Sequence, residues 1–160
     1  MNPNWRDVLT SLDYFLATGF GSGLAPKAPG TFGSLVALVL FPALSMFGWL
    51  VYAVIVAVAL AAGVYLCGRV ADKMSIKDPS VIVLDEFVGL WIALLFVPDG
   101  WIWLLIGFLL FRFFDILKPW PIRWCEQSLG GGWGIVMDDV MAGVFALLVL
   151  HALAFSWSLL

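Results

Sequence analysis

The sequence predicts an all-α, polytopic membrane protein with about five hydrophobic spans and an N-terminal interfacial helix. Three observations predict it. Of 160 residues, 63% are hydrophobic and 12% charged, and the mean hydropathy is +1.05, far outside the soluble range. The apolar residues gather into five runs separated by polar or Gly/Pro-rich segments, as a hydrocarbon layer about 30 Å thick requires. If the runs alternate in direction, Arg6, Lys27, Arg69, Lys73, Lys77, Arg112, Lys118 and Arg123 all fall on one side. The positive-inside rule makes that side cytoplasmic. At this length, residues 1–160 read as a single membrane-embedded domain.

Residues 1–20 lack the basic start, continuous apolar core and small-residue cleavage site of a signal peptide, so they are expected to stay on the mature protein. Trp5, Val8, Leu9, Leu12, Phe15 and Leu16 recur at helical spacing, with Arg6, Asp7 and Asp13 on other faces. That pattern describes a helix lying in the membrane interface or packed on the protein itself. Residues 19–34 form a Gly/Pro-rich loop with one charge, Lys27, and Thr31 is expected to cap the next helix. The first run covers about Thr31 to Phe47, with Pro42 able to kink or shorten it, and could be re-entrant. A tight hairpin leads to the second run, Trp49 to Cys67. The polar segment GRVADKMSIKDPS then fixes one side of the membrane. The third run, Val81 to Val97, reaches about 25 Å, a slightly short span only if Asp85 and Glu86 lie within it. After the Pro98, Asp99, Gly100 turn the fourth run covers Trp101 to Leu117. A Pro, Trp and Gly-rich loop leads to the fifth, Asp138 to Trp157.

Charge and cysteine content exclude several functions. Eight basic residues form no run among eleven acids, with a net charge of -3, so nucleic acid is not a partner. Cys67 and Cys125 form no CxxC pair, and His151 is the only histidine, which argues against thiolate metal sites and disulfides.

The same alternation brings Asp85, Glu86, Asp115, Asp138 and Asp139 to one membrane face. Acids at such depth are costly and point to function, and together they repel unless a cation is present. A hard divalent ion with oxygen ligands, Mg²⁺, suits them. Each acid also has a bland reading. Asp85, Glu86, Asp138 and Asp139 would stand at helix N-termini, where carboxylates cap amides, and Asp115 could pair with Arg112 or Lys118. Lys27, Thr31, Arg112 and Lys118 are placed to surround a phosphate, although Lys118 could simply snorkel to the interface. Gly89 and Gly143 each follow an acid by four residues, so a close helix crossing there would bring the acids together. A Cys-x5-Arg loop, a DxDxT motif, a histidine pair and a Walker A loop are all absent, which leaves metal-assisted hydrolysis. His151 falls near the opposite face and reads as structural. A divalent-cation transporter or channel is the competing class, but transport sites tend toward the midplane.

Four blocks, ATGFGSGLAPKAPGTFGS at 17–34, VLDEFVGLW at 83–91, FRFFDILKPWPI at 111–122 and GGWGIVMDDVMAG at 131–143, together resemble the phosphatidylglycerophosphatase A lipid phosphatases. The resemblance covers nearly the whole chain. It implies Mg²⁺-dependent removal of the terminal phosphate from phosphatidylglycerol phosphate at the cytoplasmic face of the cell inner membrane. The blocks place Lys27, Thr31, Asp85, Glu86, Arg112, Asp115, Lys118, Asp138 and Asp139 at the family's motif positions. The expected division of labour has Glu86, Asp115 and Asp139 hold the metal. Asp85, Asp138 and Lys118 then serve catalysis, while Lys27, Thr31, Arg112 and Lys118 bind phosphate.

Overall fold

Apolar runs bounded by glycine, proline and polar caps fold into eight α-helices in the computed structural model, which describes residues 4–159 and contains no strand among them. The expected single N-terminal helix is two, α1 (Trp5–Thr10) and α2 (Leu12–Ala17), broken at Ser11, whose backbone is extended. Asn4 and Asp7 close a capping box on α1. Asp13 ties α2 to the protein through Arg69 (3.0 Å) and Lys73. The Lys73 hydrogen bond is the largest influence on Asp13 and holds its pKa below the ordinary carboxylate value. Trp5, Leu9 and Leu12 remain exposed. One half of this segment packs on the protein, and one apolar edge is free.

After a 3-10 turn (Ser22–Leu24), α3 (Pro29–Ser45) begins one turn earlier than expected. Ala28, in the left-handed region, is its N-cap and Pro29 its first residue. Thr31 therefore sits inside the first turn and caps nothing. Pro42 lies inside α3, three residues before its end, and has no N–H to give the Leu38 carbonyl. The hairpin follows as expected, and α4 (Trp49–Met74) runs about 39 Å. It passes the expected end at Cys67, since GRVADKM holds no proline. Arg69 and Lys73 so belong to its last turns, where Lys73 favours the helix dipole.

The third run departs most from expectation. Its helix, α5 (Leu84–Ala93), has 10 residues, about 15 Å and half a bilayer. Hydropathy mistook it for a span because it is buried inside the bundle, with Phe87, Val88, Leu90, Ala93 and Leu94 almost fully covered. Beyond it the chain unwinds before Pro98, which disfavours helix in the preceding residue. The loosened backbone is met by side chains, as an apolar setting demands. His151 Nε2 lies 3.1 Å from the Phe96 carbonyl and its Nδ1 2.9 Å from that of Leu147. Tyr52 donates to the Trp91 carbonyl (2.8 Å), and the Trp91 indole donates to Ala37 (3.0 Å), which joins α3, α4 and α5.

Helix α6 (Trp101–Leu117) has the expected bounds and ends at Lys118 in the left-handed region. A cis Trp120–Pro121 bond precedes α7 (Ile122–Ser128). Then α8 (Gly131–Trp157) starts seven residues before the expected point. The glycines read as loop are a packing surface: a Cβ at Gly132 would stand 1.8 Å from the Val64 carbonyl oxygen, so only glycine lets α8 cross α4 here. Helix α8 is the central element and touches α4, α5, α6 and α7. Two helices, α4 and α8, are long and apolar enough to cross a membrane.

Candidate metal and phosphate site

The α5/α8 crossing builds the site. A Cβ at Gly89 would lie 2.6 Å from the Asp139 carbonyl oxygen, and one at Gly143 would lie 2.3 Å from that of Gly89. The two backbones touch there, and the acids one turn before each glycine meet, as their spacing suggested. Asp85, Glu86 and Asp139 each offer a carboxylate oxygen, all within 4.8 Å of one another. Asp85 and Asp139 are buried, as is Asp138.

The two adjacent pairs differ: Asp85 and Glu86 stand in the first turn of α5, where carboxylates favour the helix dipole. Asp138 and Asp139 stand two turns inside α8, and α5 is capped by the backbone of Val83 without a side-chain bond. Asp85 does accept the Glu86 amide at 3.1 Å. Asp115 lies outside this trio but lines the same cavity, within hydrogen-bond reach of Asp139. It also bonds Arg112 at 2.6 Å, three residues back on the same helix face. Asp138 receives Lys118 Nζ at 2.7 Å, which draws the end of α6 onto α8.

These groups line one cavity of about 280 Å³. Its described lining holds six acids, with Asp78 beside the five expected, against two cations, Arg112 and Lys118. Lys27 is exposed on the loop just before the lining residue Ala28 and does not line the cavity, nor does Thr31. Sequence reasoning missed four residues here. Ser34 Oγ faces Arg112 Nη1 at 3.5 Å. Asp78 and Ser80 come from the polar segment used only to mark a membrane side. At Gly30 a Cβ would stand 2.1 Å from Glu86 Oε1, so the α3 backbone is pared back to admit that carboxylate. The GxxxS spacing of Gly30 and Ser34 on one helix face was the available signal.

Two unit charges 4.8 Å apart repel by about 3.5 kcal/mol at an effective dielectric of about 20. Three such carboxylates stay ionised together only with compensating cations, and Arg112 and Lys118 are already engaged by Asp115 and Asp138. Buried Glu86 Oε2 has no hydrogen-bond partner among the described residues, a costly state for a carboxylate oxygen. The donor set fits a hard divalent cation: all oxygen, clustered, and without histidine or thiolate. Arg112 and Lys118 on the rim suit an anion such as phosphate.

The model of the family described as Phosphatidylglycerophosphatase A matches residues 15–154. A Phosphatidylglycerophosphatase A of Escherichia coli is 43% identical over 147 residues, covering 91% of this chain and 86% of its own. One from Haemophilus influenzae is 43% identical over 160 residues, covering 99% and 98%. A Bacteroides thetaiotaomicron protein, provisionally described as a phosphatidylinositol-3-phosphatase, is 41% identical over 148 residues, covering 87% and 91%. No solved structure matches.

Proposed function

The chain belongs to the phosphatidylglycerophosphatase A family, and from that premise we propose that it hydrolyses phosphatidylglycerol phosphate to phosphatidylglycerol and inorganic phosphate, with Mg²⁺ as cofactor. It is a lipid phosphatase, a phosphoric monoester hydrolase. The observation that carries the Mg²⁺ reading is the clustering of Asp85, Glu86 and Asp139 within 4.8 Å, beside Arg112 and Lys118 in one cavity.

In this reading Asp85, Glu86 and Asp139 hold the cation. When bound, it neutralises their charge and polarises a phosphoryl oxygen. Arg112 and Lys118 orient the phosphate, with Lys118 positioned by Asp138, while Lys27 adds charge at the mouth and Thr31 lies behind it in α3. A carboxylate of the set, Asp85 or Asp138, would take the proton of the attacking water and return it to the lipid oxygen as its bond to phosphorus breaks, so that the lipid leaves as an alcohol.

The membrane arrangement belongs to the same proposal. Helices α3, α4, α6 and α8 cross the inner membrane, with α5 a half-length helix enclosed among them and all 160 residues forming one embedded unit. The outward side chains Val39, Leu50, Val58, Leu109 and Leu148 support lipid contact. Pro98, Asp99 and Gly100 line a cavity with Ser45 and Trp49, the end opposite the acids, so the carboxylate end faces the cytoplasm with the basic residues.

The test is phosphate release by the purified chain from phosphatidylglycerol phosphate, from phosphatidylinositol 3-phosphate and from glycerol 3-phosphate. The phosphatidylglycerol phosphate rate should be highest, because acyl-chain and headgroup binding help to position the reacting phosphate. Equal efficiency on glycerol 3-phosphate would sink the lipid reading, and preference for the inositol lipid would reassign the substrate.

A further inference from the structure

Two cavities meet at Lys118. One is the carboxylate cavity. The other, about 480 Å³, opens beside it along α7 and is lined by Lys118, Trp120, Arg123, Trp124 and Gln127. Its described lining contains no acid, in contrast to the six carboxylates next door. The left-handed turn at Lys118 redirects the chain so that α7 packs against α8. The Lys118 ammonium is bound to Asp138 in the first cavity while the residue also walls the second. Arg123 and Gln127, four residues apart on α7, share a helix face. Trp120 and Trp124 are exposed by 82% and 61%, the behaviour of aromatic residues at headgroup depth.

The substrate has two phosphates. The terminal monoester is the group cleaved, and a phosphodiester lies between the headgroup glycerol and the lipid backbone. A site that binds only the monoester leaves the second negative charge without a partner, next to an acidic cavity. We propose that the groove from Lys118 to Gln127 is the subsite for this phosphodiester and its glycerol, and that it determines specificity. The assignment rests on the phosphatidylglycerol phosphate reading above. The Arg123 guanidinium takes the diester oxygens, Gln127 reaches the glycerol hydroxyl, and the indoles cover the apolar edge. With Lys118 between the grooves, the monoester points toward Asp85, Glu86 and Asp139.

The experiment uses two competitive inhibitors that each fill one half of the site. Phosphatidylglycerol carries the diester and lacks the monoester; inorganic phosphate is the reverse. Inhibition constants for both are measured in neutral detergent micelles for the wild-type chain, Arg123→Ala and Gln127→Ala. The phosphatidylglycerol constant should rise about tenfold or more in Arg123→Ala, the range for a lost hydrogen bond to a charged group, and less in Gln127→Ala. The phosphate constant should stay within about twofold. A parallel rise in both constants, or no rise in either, would overturn the subsite while leaving the phosphatase reading standing. So would an effect seen only on anionic vesicles, which would assign Arg123 to the membrane surface. A wild-type chain that releases no phosphate from phosphatidylglycerol phosphate would overturn both.

Discussion

Replacing Gly30 with alanine separates catalysis from folding more cleanly than removing a carboxylate does. The added Cβ would stand 2.1 Å from Glu86 Oε1 and 3.4 Å from Arg112 Nη1. Ordinary carbon–oxygen contact begins near about 3.3 Å, so the Glu86 carboxylate must retreat by about 1 Å. Both neighbours are ends of flexible side chains and can yield without moving a helix. Gly30 is also the second residue of α3, where alanine favours helix over glycine by up to about 1 kcal/mol. Thermal unfolding in detergent should therefore be unchanged or slightly higher. Activity should fall by about a hundredfold, the cost of a 1 Å misplacement at a reacting centre. Phosphate release from phosphatidylglycerol phosphate at fixed Mg²⁺, beside an unfolding curve, reads both. A stable Gly30→Ala chain that keeps more than about a third of wild-type activity would refute the role given to Glu86.

His151→Ala should lose about 1 kcal/mol of stability through its hydrogen bonds to the Phe96 and Leu147 carbonyls, seen as a lower unfolding midpoint, while kcat stays near wild type. Cysteine placed at Lys77 should be shielded from an impermeant thiol reagent in intact cells, and one at Asp99 should be labelled. The reverse pattern would put the site on the outer face.

The acids and their convergence were legible because charge is rare in this chain and the runs alternate. The close crossing was legible because Gly89 and Gly143 sit one turn after Asp85 and Asp139. What hydropathy could not give was helix length. Val81 to Val97 reads like a span, yet α5 is a short buried segment whose backbone is completed by His151, and burial by protein looks the same as burial by lipid in sequence. The glycines at 131–134 read as loop because propensity disfavours them in helices, whereas close packing against α4 requires Gly132. That one misreading turned Asp138 and Asp139 into candidate caps. Partner choice was also hidden: Asp115 had Arg112, Lys118 and a metal within plausible reach, and it bonds Arg112 while staying beside Asp139. Asp78 and Ser80 carried no signal beyond their polarity.

The most direct test of the central claim, that Asp85, Glu86 and Asp139 hold a divalent cation on which hydrolysis depends, is a Mg²⁺ titration of phosphate release after chelation. Wild-type protein, Glu86→Gln and Asp139→Asn are compared on phosphatidylglycerol phosphate. The chelated wild type should be inactive and recover saturably with Mg²⁺. Both variants should fall at least about a hundredfold at limiting Mg²⁺, taking the 10 to 100-fold losses known for residues supporting metal ligands as a floor, and recover in part at high Mg²⁺. Undiminished release by the chelated wild type, or folded variants that follow its titration curve, would contradict the account.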